Sequence, residues 1–391
     1  MAMKNKVKSV EGIRGMACLM VLLSHLSLAF FPCLHNFSSE SHLSYPVQRF
    51  IHNLPFGFIY SGTSAIFIFF VLSGYVLTHA ALDGTASKRR TVSMFLKRYP
   101  RLMVPAVISC VLAYACFYFS SADRSMLTGW IVNYGDFDYS FFGSIFSGAV
   151  DVFFLSGKSE YNPVLWTMKF ELLGSFIIFA LCLLKTGNNL KKLDIYFAIL
   201  LMAFLARGVI SLEIAIGYLS FLLGYWFYHH GKAIRLKFAM PAFIFGLYLA
   251  GVHNTSASYA FITSIIGAKA YVICNFASGF FIVYSIVFNQ QLSDFFSLKF
   301  YVVMGKLSFS VYLLHMPVIY TVGFFFFNLS VCRSLPFAQS AILSCLVSIA
   351  ITYAMSTIYY RFIDRAGMCI ADKLSQYILG HKKSLKTAIS E

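Results

Sequence analysis

Charge is what this sequence has least of. Only 12% of its 391 residues are Asp, Glu, Lys or Arg, about half the share found in soluble globular proteins, so a water-facing surface for a soluble protein of this length cannot be assembled. Acids are the scarcer sign, 15 against 31 Lys and Arg. The nine cysteines lack the paired spacing of a zinc site or a disulfide framework. Cys18, Cys110, Cys116, Cys182, Cys274 and Cys345 sit inside apolar runs and read as small buried hydrophobes. Only Cys33 and Cys332 fall in loops on one side of the membrane, where a single disulfide is open to them. No small-residue cleavage site follows the first apolar run, which carries Arg14 and His25, so a removable signal peptide is not expected. No internal repeat is visible, and no loop is long enough for an independent soluble domain.

What is present is apolar length. Hydrophobic residues make up 59% of the chain, and a helix needs about 20 of them to cross roughly 30 Å of hydrocarbon. Ten stretches qualify: 13–31, 62–81, 102–120, 165–184, 194–206, 209–228, 238–252, 261–287, 305–327 and 338–360, the fifth and seventh being short. The expected fold is therefore all-α, a polytopic transmembrane helical bundle of about 10 spans. Residues 1–365 form the membrane domain and 366–391 a basic tail. Most of the Lys and Arg then lie on one side with an N-terminus placed inside, among them Lys88, Arg89, Arg90, Lys97, Arg98 and Arg101. By the positive-inside rule both termini are expected in the cytoplasm, and the basic excess is a topology signal that gives no reason to expect nucleic acid as a partner. An eleventh crossing at 141–157 would invert every later loop. That stretch, broken by Asp151 and glycines, reads as a re-entrant or interfacial segment.

Function has to come from polar residues within the spans, because each costs at least ~2.5 kcal/mol at a helix centre. Three stretches carry them. Arg14 and His25 lie eleven residues apart on one face of the first span, about 16 Å apart in depth. Trp166 to Glu171 enters from the outer side, with Glu171 expected about 8–10 Å below the outer edge. Gly305 to His315 enters from the inner side, with Ser308, Tyr312 and His315 spaced as one polar stripe. The depths of His25, Glu171 and His315 are expected to meet in one chamber. For each stretch a structural role is the competing reading: a snorkelling arginine, a paired carboxylate, a hydrogen-bonded imidazole.

These same stretches resemble the acyltransferase-3 family of integral-membrane acyltransferases. Arg14 and His25, separated by ten residues, look like its first-span signature. Ser61-Gly62 followed by Phe69-Phe70-Val71-Leu72-Ser73-Gly74-Tyr75 is similar to its second span, and Lys97-Arg98-Tyr99-Pro100-Arg101-Leu102 to its Arg-x-x-Arg block. Trp166 to Glu171 resembles its Trp-(Ser/Thr)-x-x-x-Glu block, and Gly305 to His315 its Gly-x-x-Ser-Tyr-x-x-Tyr-Leu-x-His block. Two departures stand out: Phe309 replaces a tyrosine, and Ile363-Asp364-Arg365-Ala366 lacks the usual proline. Nothing resembles the SGNH-type domain that some members append.

The resemblance implies a multi-pass protein of a bacterial inner membrane that transfers an acyl group, usually acetyl. The donor would be cytoplasmic acyl-CoA, a co-substrate and not a resident cofactor. The acceptor would be a hydroxyl of a carbohydrate or lipid-linked glycan such as O-antigen, lipopolysaccharide or exopolysaccharide. No metal is expected. The residue chemistry is compatible: His25 as base, Glu171 orienting it or binding the acceptor hydroxyl, and His315 contacting or carrying the acyl group. Arg14, Arg98 and Arg101 are the expected acyl-CoA phosphate ligands, with Ser308, Tyr312 and Trp166 in support. A proton-coupled transporter or flippase of a glycan or small molecule is the alternative, because intramembrane His and Glu also build proton relays.

Overall fold

The computed structural model describes residues 2–36, 46–83, 87–120, 123–127, 129–185 and 193–380, and among these there is no β-strand. The main helices are α1 (Ala2–Phe30), α2 (Gly62–Leu82), α3 (Ser87–Phe119), α4 (Thr167–Lys185), α5 (Leu193–Ala206), α6 (Leu212–His230), α7 (Leu236–Ala250), α8 (Ala270–Val287), α9 (Lys299–Val318), α10 (Phe337–Tyr359) and α11 (Arg365–Ile378). Each of the ten expected stretches is helical. Among the described residues seven helices are long and apolar enough to cross a membrane, whereas α5, α7 and the helix Phe141–Phe154 are shorter. Helix α9 runs on through a π-helical turn at Ile319–Gly323, and α10 passes through another at Tyr360–Asp364 into α11. Residues 366–378, expected in the tail, are thus helix packed along the first turns of α3, where Asp372 pairs with Lys97 at 2.8 Å. No disulfide joins Cys33 to Cys332.

The centre of the bundle is the α1–α9 crossing, and glycine makes it. A Cβ on Gly305 would fall 1.9 Å from the carbonyl oxygen of Glu11, and one on Gly15 would fall 2.7 Å from the Gly305 nitrogen. Small residues let helix backbones approach in a medium that supplies no hydrophobic drive between helices. The close approach sets Gly15 against Tyr301, Met304 and Gly305 and brings the two helices together. Helix α10 packs on α9 behind a row of Ser340, Ser344, Ser348, Thr352 and Ser356, all fully buried.

The segment 139–162 folds back on itself alongside α3, which serves as its ruler. Tyr139 packs on Phe117, Tyr99 donates to the carbonyl of Ala149 at 2.8 Å, and Asn162 donates to Ser109 at 3.1 Å. The chain therefore descends beside α3 and climbs back about half way. Asn162 also donates to the carbonyl of Leu313 at 2.9 Å. Pro163, whose ring suits a first helical position, opens a buried 3-10 turn that leads into α4. Helix α4 consequently begins inside the bundle, level with Ser109, about 15 Å below the last turn of α3 at 1.5 Å per residue. This corrects the depth expected for Glu171, which lies at the level of Arg98, in the half of the bundle that carries the basic residues.

Candidate active site

His25 and His315 come together. His315 is fully buried. Its Nδ1 lies 3.1 Å from the Val311 carbonyl, which places the proton on Nδ1 and leaves Nε2 as an acceptor. That Nε2 is 3.3 Å from Nδ1 of His25, and the ring centroids are 4.9 Å apart. Nδ1 of His25 is also 3.0 Å from the Val21 carbonyl one turn back. An Nδ1–H shared between Val21 and His315 leaves the lone pair of His25 on Nε2, the arrangement a general base needs.

A cavity of about 410 Å³ lies on the side toward Arg14, Arg98, Arg101 and Lys306, all four of which line it together with Glu11, Glu171 and Asp364. The acids are not spread evenly. Arg98 Nη2 holds Glu171 Oε2 at 2.6 Å, and Ser73 donates to both carboxylate oxygens at 3.1 and 3.3 Å. Arg14 reaches Glu11 at 3.5 Å. Among the described residues neither Arg101 nor Lys306 is ion-paired, and both are exposed. The structure thus brings Glu171 to Arg98 and Ser73 and to neither imidazole. Much of the Arg98 charge is directed at Glu171, which leaves Arg101 and Lys306 as the cations open to an anionic ligand.

Ser308 and Tyr312 line the same cavity, together with Phe309, the residue that departs from the family pattern. Trp166 is outside it, 40% exposed and packed edge-on against Phe170. Ser73, Lys306 and Asp364 are among the lining residues that the sequence does not single out as site residues. Ser73 and Lys306 stood within motifs already noted, and their intramembrane polarity was the available signal. Asp364 stood in the block that lacks the usual proline, but its facing was hidden, because it reaches the cavity through the π-helical turn at Tyr360–Asp364. One extra residue per turn shifts the register of everything after it, a distortion that clusters at functional sites.

At the opposite end of the bundle a second group of imidazoles sits outside the spans. His253 packs edge-on at 5.5 Å from His35 and 5.6 Å from His52, with Tyr60 and Tyr271 against it at 6.0 and 5.7 Å. His35 Nε2 lies 2.7 Å from the Ser27 hydroxyl, and His52 Nε2 lies 3.1 Å from that of Thr255. No group of three His, Cys, Asp or Glu among the described residues is arranged to hold a metal ion. Burial lowers His253 to about 4, with a contribution from His52. Burial and the neighbouring imidazoles of His253, His25 and His52 also hold His35 well below its ordinary value. Both rings are neutral in the fold and protonate readily once exposed; the contribution of His253 is complete above pH ~6.5 and is lost as pH falls toward 4, and that of His35 is lost in the same direction. For His253 alone this amounts to roughly 3 kcal/mol. The melting temperature of the purified protein should hold level from pH 8 to 7 and fall between pH 6 and 4. His253→Gln should flatten that fall, and a wild-type profile already flat to pH 4 would contradict it.

In comparison with known proteins, a family model for acyltransferase-3, described as an acyltransferase domain, matches residues 7–360. No curated protein and no solved structure matches the chain.

Proposed function

The chain belongs to the acyltransferase-3 family, and from that premise we propose that it moves an acyl group, acetyl by default, from acyl-CoA to a carbohydrate hydroxyl. The donor enters from the cytoplasm at the basic end of a bacterial inner membrane. The acceptor is a glycan or lipid-linked glycan approaching from the other side. One observation carries this reading: an oriented imidazole pair stands with His315 6.0 Å from Tyr312, which lines a cavity also lined by Arg101 and Lys306, cations with no ion pair among the described residues.

The chemistry needs one base and one proton path. His25 Nε2 takes the proton of the acceptor hydroxyl as its oxygen attacks the thioester carbonyl. His315 accepts from Nδ1 of His25 and shares the charge that develops, the part a third group plays in a catalytic triad. The carbonyl carbon gains a C–O bond, the C–S bond breaks, and the proton on His25 passes to the departing sulfur. Arg101 and Lys306 grip the phosphates of CoA, with the planar guanidinium suited to a two-point contact. Glu171 and Ser73 hold Arg98 in the cavity wall.

Purified protein given labelled acetyl-CoA and a sugar acceptor should release free CoA and label the sugar. Uptake of the sugar into liposomes with no release of CoA would overturn the proposal in favour of transport. Arg101→Ala should raise the KM for acetyl-CoA by about tenfold, the size of one charged hydrogen bond, and leave kcat nearly unchanged. An unaltered KM would assign Arg101 to topology alone.

A further inference from the structure

The cavity and the imidazole pair are neighbours but not one space. Neither His25 nor His315 lines the cavity, whereas Tyr312, one turn before His315 on α9, does so together with Thr167. The rings of Tyr312 and His315 stand 6.0 Å apart, the phenol on the cavity side. The phenol is fastened there. Tyr312 donates to the Val164 carbonyl, and its oxygen lies 2.8 Å from the Thr167 hydroxyl. Thr167 in turn is within 3.3 Å of the same carbonyl, and both side chains are buried. Its partners belong to the 3-10 turn where α4 begins inside the bundle, itself held to α9 by the Asn162 bond to Leu313.

From this arrangement we propose that the Tyr312–Thr167 contact is the gate between the donor cavity and the imidazoles, and that it fixes the length of acyl chain admitted. The inference rests on the reading that the cavity takes acyl-CoA. A thioester lying in the cavity meets the phenol before it meets His25. Reaching the base requires the ring to swing aside and give up its contacts with Val164 and Thr167. A short acyl group needs only a brief opening, and a longer one needs the ring held away. While the gate is shut, water on the cavity side is kept from the imidazole that would activate it for hydrolysis, in which thioester and water become carboxylic acid and free thiol.

The test uses the full chain in detergent with acetyl-CoA and butanoyl-CoA, read as CoA release without acceptor, together with calorimetric binding of CoA. Tyr312→Phe keeps the ring and removes both contacts. Thr167→Val keeps the shape and removes one. At about 1 kcal/mol net per hydrogen bond, the loss of two contacts in Tyr312→Phe should raise both acceptor-free hydrolysis and the butanoyl-to-acetyl ratio by roughly thirtyfold, and Thr167→Val by about fivefold. CoA binding should be retained in both. Either quantity staying flat in both variants with CoA bound overturns the gate. Loss of CoA binding in both variants would reduce the contact to a structural one and also overturn it. Wild-type protein that neither binds CoA nor releases it from acetyl-CoA overturns the functional reading itself, a result separate from the other two.

Discussion

His25→Ala lowers kcat/KM for acyl transfer by about a thousandfold, the middle of the range for a general base, while the yield of folded protein in detergent stays close to wild type. The size follows from the geometry. His25 keeps the basic nitrogen, and its nearest candidate substitutes are engaged: Glu171 accepts from Arg98 and Ser73, and His315 already donates to Val311. His315→Ala should cost less, about ten- to a hundredfold, because it removes a partner that orients the base and leaves the base itself. Turnover of labelled acetyl-CoA measures both. An active His25→Ala protein would take the imidazole pair out of the chemistry, and a His315→Ala loss larger than that of His25→Ala would exchange their roles.

Arg98→Ala is expected to act on folding before it acts on the donor. Its bond to Glu171 is short, and the two side chains are only 13% and 15% exposed, so removing the guanidinium strands a carboxylate among apolar helices at a cost of about 3 kcal/mol or more. The melting temperature should fall and expression should drop. Adding Glu171→Gln to Arg98→Ala should recover part of the loss, because an amide is far cheaper to bury than an unpaired carboxylate. Glu171→Gln alone should be the mildest of the three. Were Arg98 chiefly a phosphate ligand, its removal would instead raise the donor KM at constant stability, and the double variant would recover nothing.

The helices were legible because hydrocarbon allows few ways to satisfy a backbone, and apolar length then marks each segment directly. The α1–α9 pair was legible for a second reason. Arg14, His25, Ser308, Tyr312 and His315 lie on unbroken helices, where residue spacing converts to depth at 1.5 Å per residue. The conversion failed for Glu171. Its helix does not start at a surface, and what sets its start is Asn162 bonding to Leu313, a contact across 151 positions that no local pattern announces. Asp364 escaped for a related cause, since a π-helical turn breaks the periodicity on which a facing prediction depends. The pairing of Arg98 with Glu171 joins two residues each singled out alone; composition says that a buried carboxylate needs a partner but not which of several arginines provides it.

The half-way start of α4 also bears on how the protein is made. Asn162 and Val164 leave the ribosome well before Leu313 and Tyr312, which supply their partners on α9. Until α9 has been synthesised and inserted, the returning strand of the hairpin holds polar groups in the bilayer interior with no α9 to receive them. That half of the protein is therefore obliged to wait in a provisional arrangement, sheltered by the insertion machinery or displaced toward the aqueous boundary. Nascent chains arrested short of residue 312 should leave 155–165 open to protease or water-soluble label, and full-length chains should seal it. The cavity beside Tyr312 is completed late in biogenesis, only after most of the chain has emerged.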